Sequence, residues 1–223
     1  INKNGKDFDK IIVTLDSHNV FDIAHSDFWI NDKGERPAPF TIISLEDFKA
    51  GVWKPQNKDY SSDYITFYLE ELQNQNKYKL IIWPTHCLVG SWGHNVHVDV
   101  LKAINNWSKL SHNPIDYVFK GLNPATEHYS AIKAEVVLDS HTEKNTDVLK
   151  SLELSDEIVI AGEAFSHCVA STVFDIVEHF EENDIKNKIT ILENCSSSVF
   201  GFEEQGKEIK KNMENKGISF LNI

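Results

Sequence analysis

The chain has 223 residues, 41% hydrophobic and 25% charged, with a formal net charge of −12 from 22 Lys and Arg against 34 Asp and Glu. This is the composition of a globular domain with a sizeable core, and without a basic cluster or arginine stripe it disfavours nucleic-acid binding. No apolar run approaches membrane-spanning length, no secretory signal is read at the start, and three scattered cysteines make no disulfide framework; a reducing cytoplasm and no membrane partner are expected.

Short apolar runs recur along the chain: IIVTL (11–15), LIIW (80–83), YVFK (117–120), IVIA (158–161), ITIL (189–192) and ISFL (218–221). Each is short, rich in Ile and Val and free of polar alternation, which predicts parallel strands buried on both faces. Helical spacing relates Tyr64, Phe67, Tyr68 and Leu72, then Val98, Val100, Leu101, Ile104 and Trp107, then Val169, Val173, Ile176, Val177 and Phe180. A charged helix is predicted at about 203–215, ending near Gly217. The alternation predicts a single α/β domain over 1–223, three-layer α/β/α with a mostly parallel sheet. Residues 31–60 read as a loop excursion, whose neighbouring aromatics Phe28, Trp29, Phe40 and Trp53 line a pocket or simply pack.

Sites in such sheets gather at the carboxyl ends of strands. Here those ends carry Asp16-Ser17-His18, Pro84-Thr85-His86-Cys87, Lys120-Gly121, and Gly162 followed by Cys168. Asp16 and His18 stand at i and i+2 and can face one side together. With His86 they make a two-histidine, one-carboxylate set suited to Zn²⁺, Fe²⁺ or Mn²⁺. The alternative is a turn-capping Asp16 and ordinary hydrogen-bonded histidines. His25 reads as a surface or loop histidine, with an extra ligand or a residue supporting a ligand as the alternative. His94 and His97 are assigned to the helix after the HCLVG turn.

Cys168 opens a helical pattern after a strand, where unpaired N–H groups favour a thiolate and can hold an oxyanion. The competing reading is a small core residue, which fits Cys87 and Cys195 better. His167 is read as structural. Lys120 ends a buried strand, so its ammonium must reach water, meet a carboxylate or serve chemistry. No glycine-rich phosphate loop points to a dehydrogenase.

Together TLDSH (14–18), WPTHC (83–87) with LVGSWG, FKGLNPATEHYSA (119–131) and AGEAFSHCVASTVFDI (161–176) resemble the nicotinamidase/pyrazinamidase branch of the isochorismatase-like cysteine hydrolases. The resemblance implies that fold, a divalent metal (zinc above all) on Asp16, His18 and His86, and a Cys168 nucleophile assisted by Lys120. It implies a cis peptide at Glu163-Ala164, an oxyanion hole from the backbone N–H groups of Ala164 and Cys168, and pocket contributions from Tyr129 and Glu163. The implied reaction is nicotinamide to nicotinate and ammonia through a thioester, in NAD salvage. A related small amide, or a non-catalytic binding role, is the alternative. The family's first strand, with its catalytic aspartate, has no counterpart in this sequence: either the chain is partial or another segment fills the gap, and the resemblance leaves a homo-oligomer open.

Overall fold

The computed structural model describes residues 1–75, 78–181 and 184–223, which divide into two compact units, Ile1–Glu127 and His128–Ile223. None of their helices is long and apolar enough to cross a membrane.

In the first unit, β1 (Ile12–Asp16) pairs in parallel with β6 (Asp116–Lys120), and the register sets Asp16 against Lys120. A parallel pair needs a long crossover, and the intervening chain holds the unit's helices. In α2 (Ser62–Gln75) the buried residues Ile65, Tyr68, Leu69 and Leu72 fall on one face at i, i+3, i+4 and i+7. The helix α3 (Val98–Ser111) buries Ile104 and Trp107, and Trp107 Nε1 donates to Gly5 O at 2.9 Å. Val98 lies off that face and is exposed; Val100 lies on it, at i−4 from Ile104, yet is exposed in the helix's first turn.

The predicted excursion contains local pairing. The strands β2 (Trp29–Ile30) and β4 (Lys54–Pro55) pair antiparallel, and α1 (Leu45–Lys49) is capped by Ser44, whose Oγ accepts from Asp47 N. Phe28 and Trp29 are fully buried, so these two aromatics pack.

Two strand expectations are corrected. The LIIW run yields β5 (Leu80–Ile81), which is antiparallel to β3 (Ile42–Ile43) rather than part of a parallel ladder. Apolar runs carry no direction signal, and the partner here comes from the excursion. In β6, Tyr117 and Phe119 are 41% and 53% exposed while Val118 and Lys120 turn inward. That strand therefore buries one face, with the period of two that alternating side chains impose.

The second unit is a parallel sheet in the order β7 (Ile158–Ile160), β8 (Ile189–Leu192), β9 (Ser219–Leu221). Between them run α5 (Ala170–His179) and α6 (Glu203–Asn215), with α4 (Thr146–Glu153) before the sheet. Its core joins Ile158, Ile189 and Ile191 from the sheet to Val173 and Ile176 of α5 and Met213 of α6. Truncating one such side chain to alanine costs about 2–5 kcal/mol, so this core fixes how α5 leaves β7. That junction carries Cys168.

Candidate functional site

Within the first unit the predicted metal ligands converge. One ligand atom from each of Asp16, His18 and His86 lies within 4.8 Å of the others. His18 is held in place by its backbone: its N–H donates to Cys87 O at 3.0 Å and its carbonyl accepts from Val89 N at 3.1 Å. The WPTHC segment thus docks directly on the TLDSH segment. Gly121 lets the backbone pass close by: its φ is +82°, and a Cβ there would lie 3.1 Å from His18 Cε1 and 3.3 Å from Asp16 Oδ1. Both the positive φ and the close approach call for glycine.

The hydrogen-bond partners assign the ring nitrogens. His18 Nδ1 lies 3.0 Å from Asp22 Oδ2, and Asp22 Oδ1 accepts from Ala24 N at 3.0 Å. His18 Nε2 is buried with no hydrogen-bond partner, 3.3 Å from Asp16 Oδ1. His86 Nδ1 is 2.9 Å from Pro84 O and 3.2 Å from His25 Nε2, while its Nε2 is 3.6 Å from Asp16 Oδ2. His25 Nδ1 in turn meets Asn19 O at 3.0 Å. Each ligand histidine thus has its Nδ1 engaged and its Nε2 turned toward Asp16. A tetrahedral zinc with bonds near 2.05 Å has ligand–ligand edges of about 3.3 Å, so the set fits a divalent ion. The buried, unbonded Nε2 of His18 is the atom such an ion would satisfy.

Charge is concentrated here. Lys120, 4% exposed, donates from Nζ to Asp16 Oδ1 at 2.9 Å; it meets a carboxylate rather than snorkelling. Burial opposes ionisation of Asp16, yet the Lys120 charge and the His18 and His86 contacts hold its carboxyl well below the usual range. Burial likewise opposes a charged His18, but Asp16 and Asp22, with Glu127 nearby, push it up to about 11. Without a cation its ring is an imidazolium, and a metal held at Nε2 would take the place of a proton. Burial and the Asp16 charge push the half-buried Cys87 thiol up, against His18 and Lys120, which favours the neutral form.

Of three further histidines, two differ from their sequence reading and His97 agrees with it. His25 is fully buried and touches His86, so it is no surface residue. His94 ends a 3-10 turn before α3 and bonds Ser17 Oγ at 2.8 Å through Nε2. His97 is the N-cap of α3 and accepts from Asp99 N. Sequence reasoning missed Asp22; its one signal was a carboxylate four residues beyond His18.

In the second unit, β7 runs through Gly162, with φ +120°, and a cis Glu163–Ala164 peptide into a π-helical turn, Phe165–Val169, that leads into α5. Half-buried Cys168 lies within that turn. The segment after β8 laces the turn in place. Gly162 N donates to Cys195 O at 2.9 Å, Phe165 N to Ser197 O at 2.7 Å, and Val199 N to Ser166 Oγ at 3.0 Å. The exposed Glu163 turns its carboxylate to Ser197, accepting from its N at 3.1 Å and its Oγ at 2.8 Å. Thr172 Oγ1 donates to Cys168 O at 2.7 Å and accepts from Ala131 N at 3.0 Å, which ties the Tyr129–Ala131 segment to the cysteine's turn. Tyr129 packs beside His167, with ring centroids 5.5 Å apart.

His167 is 2% exposed, and burial lowers its pKa to about 4. An unfolded chain protonates this residue near 6.5, so as pH falls the unfolded state takes up the proton first. The neutral imidazole's contribution is therefore intact above about 6.5 and lost down to about 4, up to about 3 kcal/mol. Urea unfolding followed by circular dichroism should show this acid loss, and His167→Gln should reduce it. An unchanged pH slope in the variant would assign the acid sensitivity elsewhere.

No protein-family model and no curated protein matches the sequence. Solved structures match the fold. A nicotinamidase/pyrazinamidase of Acinetobacter baumanii superposes with a TM-score of 0.61 at 18% identity, covering 99% of this chain and 81% of its own. The yeast nicotinamidase gives 0.63 at 21%, covering 99% and 83%. A Pyrococcus horikoshii pyrazinamidase, solved in complex with zinc, gives 0.54 at 16%, covering 100% and 80%. The chain has the α/β fold of these structures, as its sequence motifs implied.

Proposed function

We propose that this chain is a divalent-metal-dependent cysteine amidohydrolase that converts nicotinamide to nicotinate and ammonia. The observation that carries the reading is the Asp16, His18 and His86 cluster, in a chain with the fold of nicotinamidases and with a cysteine at a strand-to-helix turn. Asp16, His18 and His86 would hold the ion, zinc foremost. Its chemistry is that of a Lewis acid, which orients and polarises a nitrogen heterocycle.

The chain's own residues do the rest. The Cys168 thiolate attacks the carboxamide carbon and forms a C–S bond. The backbone N–H groups of Ala164 and Cys168 receive the negative oxygen. The C–N bond then breaks, and the amide nitrogen leaves as ammonia with the proton the thiol gave up. Water adds to the thioester, the C–S bond breaks, and nicotinate departs as the thiol is restored. Lys120, which donates to Asp16, is assigned to favour the thiolate over the thiol. Tyr129 and Glu163 are assigned to the pocket wall.

The test is ammonia release from nicotinamide by zinc-loaded protein, with nicotinate identified as the second product. Release that stops on chelation and returns with added zinc supports the reading. Metal bound at one equivalent, with no release from nicotinamide but release from another small aromatic amide, would move the substrate and keep the chemistry. Stoichiometric metal with no amide turned over would favour a binding role.

A further inference from the structure

The loop after β1 buries a carboxylate that the proposed reaction does not use. Asp22 is fully buried. A carboxylate withdrawn from water is costly unless both oxygens find donors. Here Oδ1 takes the Ala24 N–H at 3.0 Å, and Oδ2 faces His18 Nδ1 at 3.0 Å. A neutral acceptor would close the same turn at lower cost in desolvation, so turn closure alone does not explain the charge.

The other end of the His18 ring does. Its Nε2 is buried, makes no hydrogen bond, and points to Asp16 and the neighbouring His86, whose ring centroid is 4.7 Å away. A neutral imidazole has one proton. If it sits on Nε2, that nitrogen has no lone pair to give. An anionic acceptor at Nδ1 keeps the proton there, leaves the Nε2 lone pair in the cluster, and makes that lone pair more basic. It also fixes the ring's rotation, since Asp22 is itself anchored by the Ala24 N–H.

We infer that Asp22 is the positioning carboxylate of the metal centre, holding His18 with Nδ1–H bound and Nε2 presented, and so setting how tightly the divalent cation is retained. The inference rests on the metal-binding part of the proposed function. It adds a residue outside the ligand set that governs affinity without touching the ion.

The experiment measures zinc affinity by competition with a chromophoric chelator, for the unmodified chain, Asp22→Asn and His18→Ala. Asp22→Asn preserves shape and an oxygen for Ala24 N but removes the charge. Its zinc affinity should fall about 10- to 100-fold, the range for loss of such a partner, with circular dichroism unchanged. Affinity within twofold of the unmodified chain, while His18→Ala loses zinc, would overturn the inference and leave the metal site standing. No zinc binding by the unmodified chain would overturn both. If Asp22→Asn does not fold, nitrogen-15 correlation spectra of the zinc-loaded unmodified chain decide the matter. His18 should show a protonated Nδ1 and a metal-bound Nε2, and a metal on Nδ1 would refute the assignment.

Discussion

Cys168→Ala should lower ammonia release from nicotinamide by at least about three orders of magnitude, the scale expected when the nucleophile of a concerted catalytic unit is removed. Of the three cysteines, Cys168 alone lies in a turn joining a buried strand to a helix, gripped by the segment after β8. Cys87 follows His86, a proposed ligand, and its burial and the Asp16 charge favour the neutral thiol. Cys195 is exposed, and its carbonyl serves Gly162 N. Cys195→Ala therefore makes the control and should leave turnover within about twofold. The metal should not notice the loss of Cys168, because Cys168 is not in the candidate ligand set of Asp16, His18 and His86. A variant that keeps one equivalent of zinc and loses turnover separates chemistry from binding. Turnover surviving in Cys168→Ala would end the nucleophile assignment.

The legible parts of this chain were those with local signals. The ends of β1 and β6 are where IIVTL and YVFK put them to within a residue, and their register sets Asp16 opposite Lys120. The D-x-H and T-H-C motifs identified three groups that meet, because a strand's period of two and its carboxyl end constrain where such side chains go. Partner choice had no such signal. LIIW reads the same whichever strand it joins, and its antiparallel partner β3 is a two-residue strand inside a proline-containing stretch that reads as a loop. Asp22 and His25 sit in an aperiodic loop, where spacing from His18 is a weak signal that left His25 undecided and Asp22 unnoticed; only the fold brings Asp22 to Nδ1 of His18 and His25 to Nδ1 of His86. Residue Glu163 shows the limit from the other side. The resemblance implies a pocket role for it, and nothing local announces that its carboxylate is hydrogen-bonded to Ser197, on a segment distant in sequence.

Lys120→Met should destabilise the metal-free first unit by about 3 kcal/mol, the lower end for breaking a buried ion pair by removing one partner. The lower end applies because the Asp16 side chain is 20% exposed while that of Lys120 is only 5% exposed. Methionine fills much of the lysine stem's volume, so the loss is chiefly that of the ammonium. All five tryptophans lie in the first unit, so their fluorescence during urea unfolding reports that unit directly. The sign of the pH dependence follows from Asp16. Its carboxyl is held well below the ordinary value, so the pair's contribution is present above about pH 3.9 and is lost as pH falls through the lower folded value. The gap between the two proteins should thus narrow in strong acid. Zinc supplies the decisive contrast. In the unmodified chain the ammonium and the ion share one carboxylate and repel each other; in the variant the ion has Asp16 to itself. Saturating zinc should therefore stabilise Lys120→Met more than the unmodified chain and recover part of the loss, while amide turnover stays low, because the cation assigned to favour the Cys168 thiolate is gone. Equal zinc shifts in the two proteins would mean that Lys120 and the ion do not compete for Asp16.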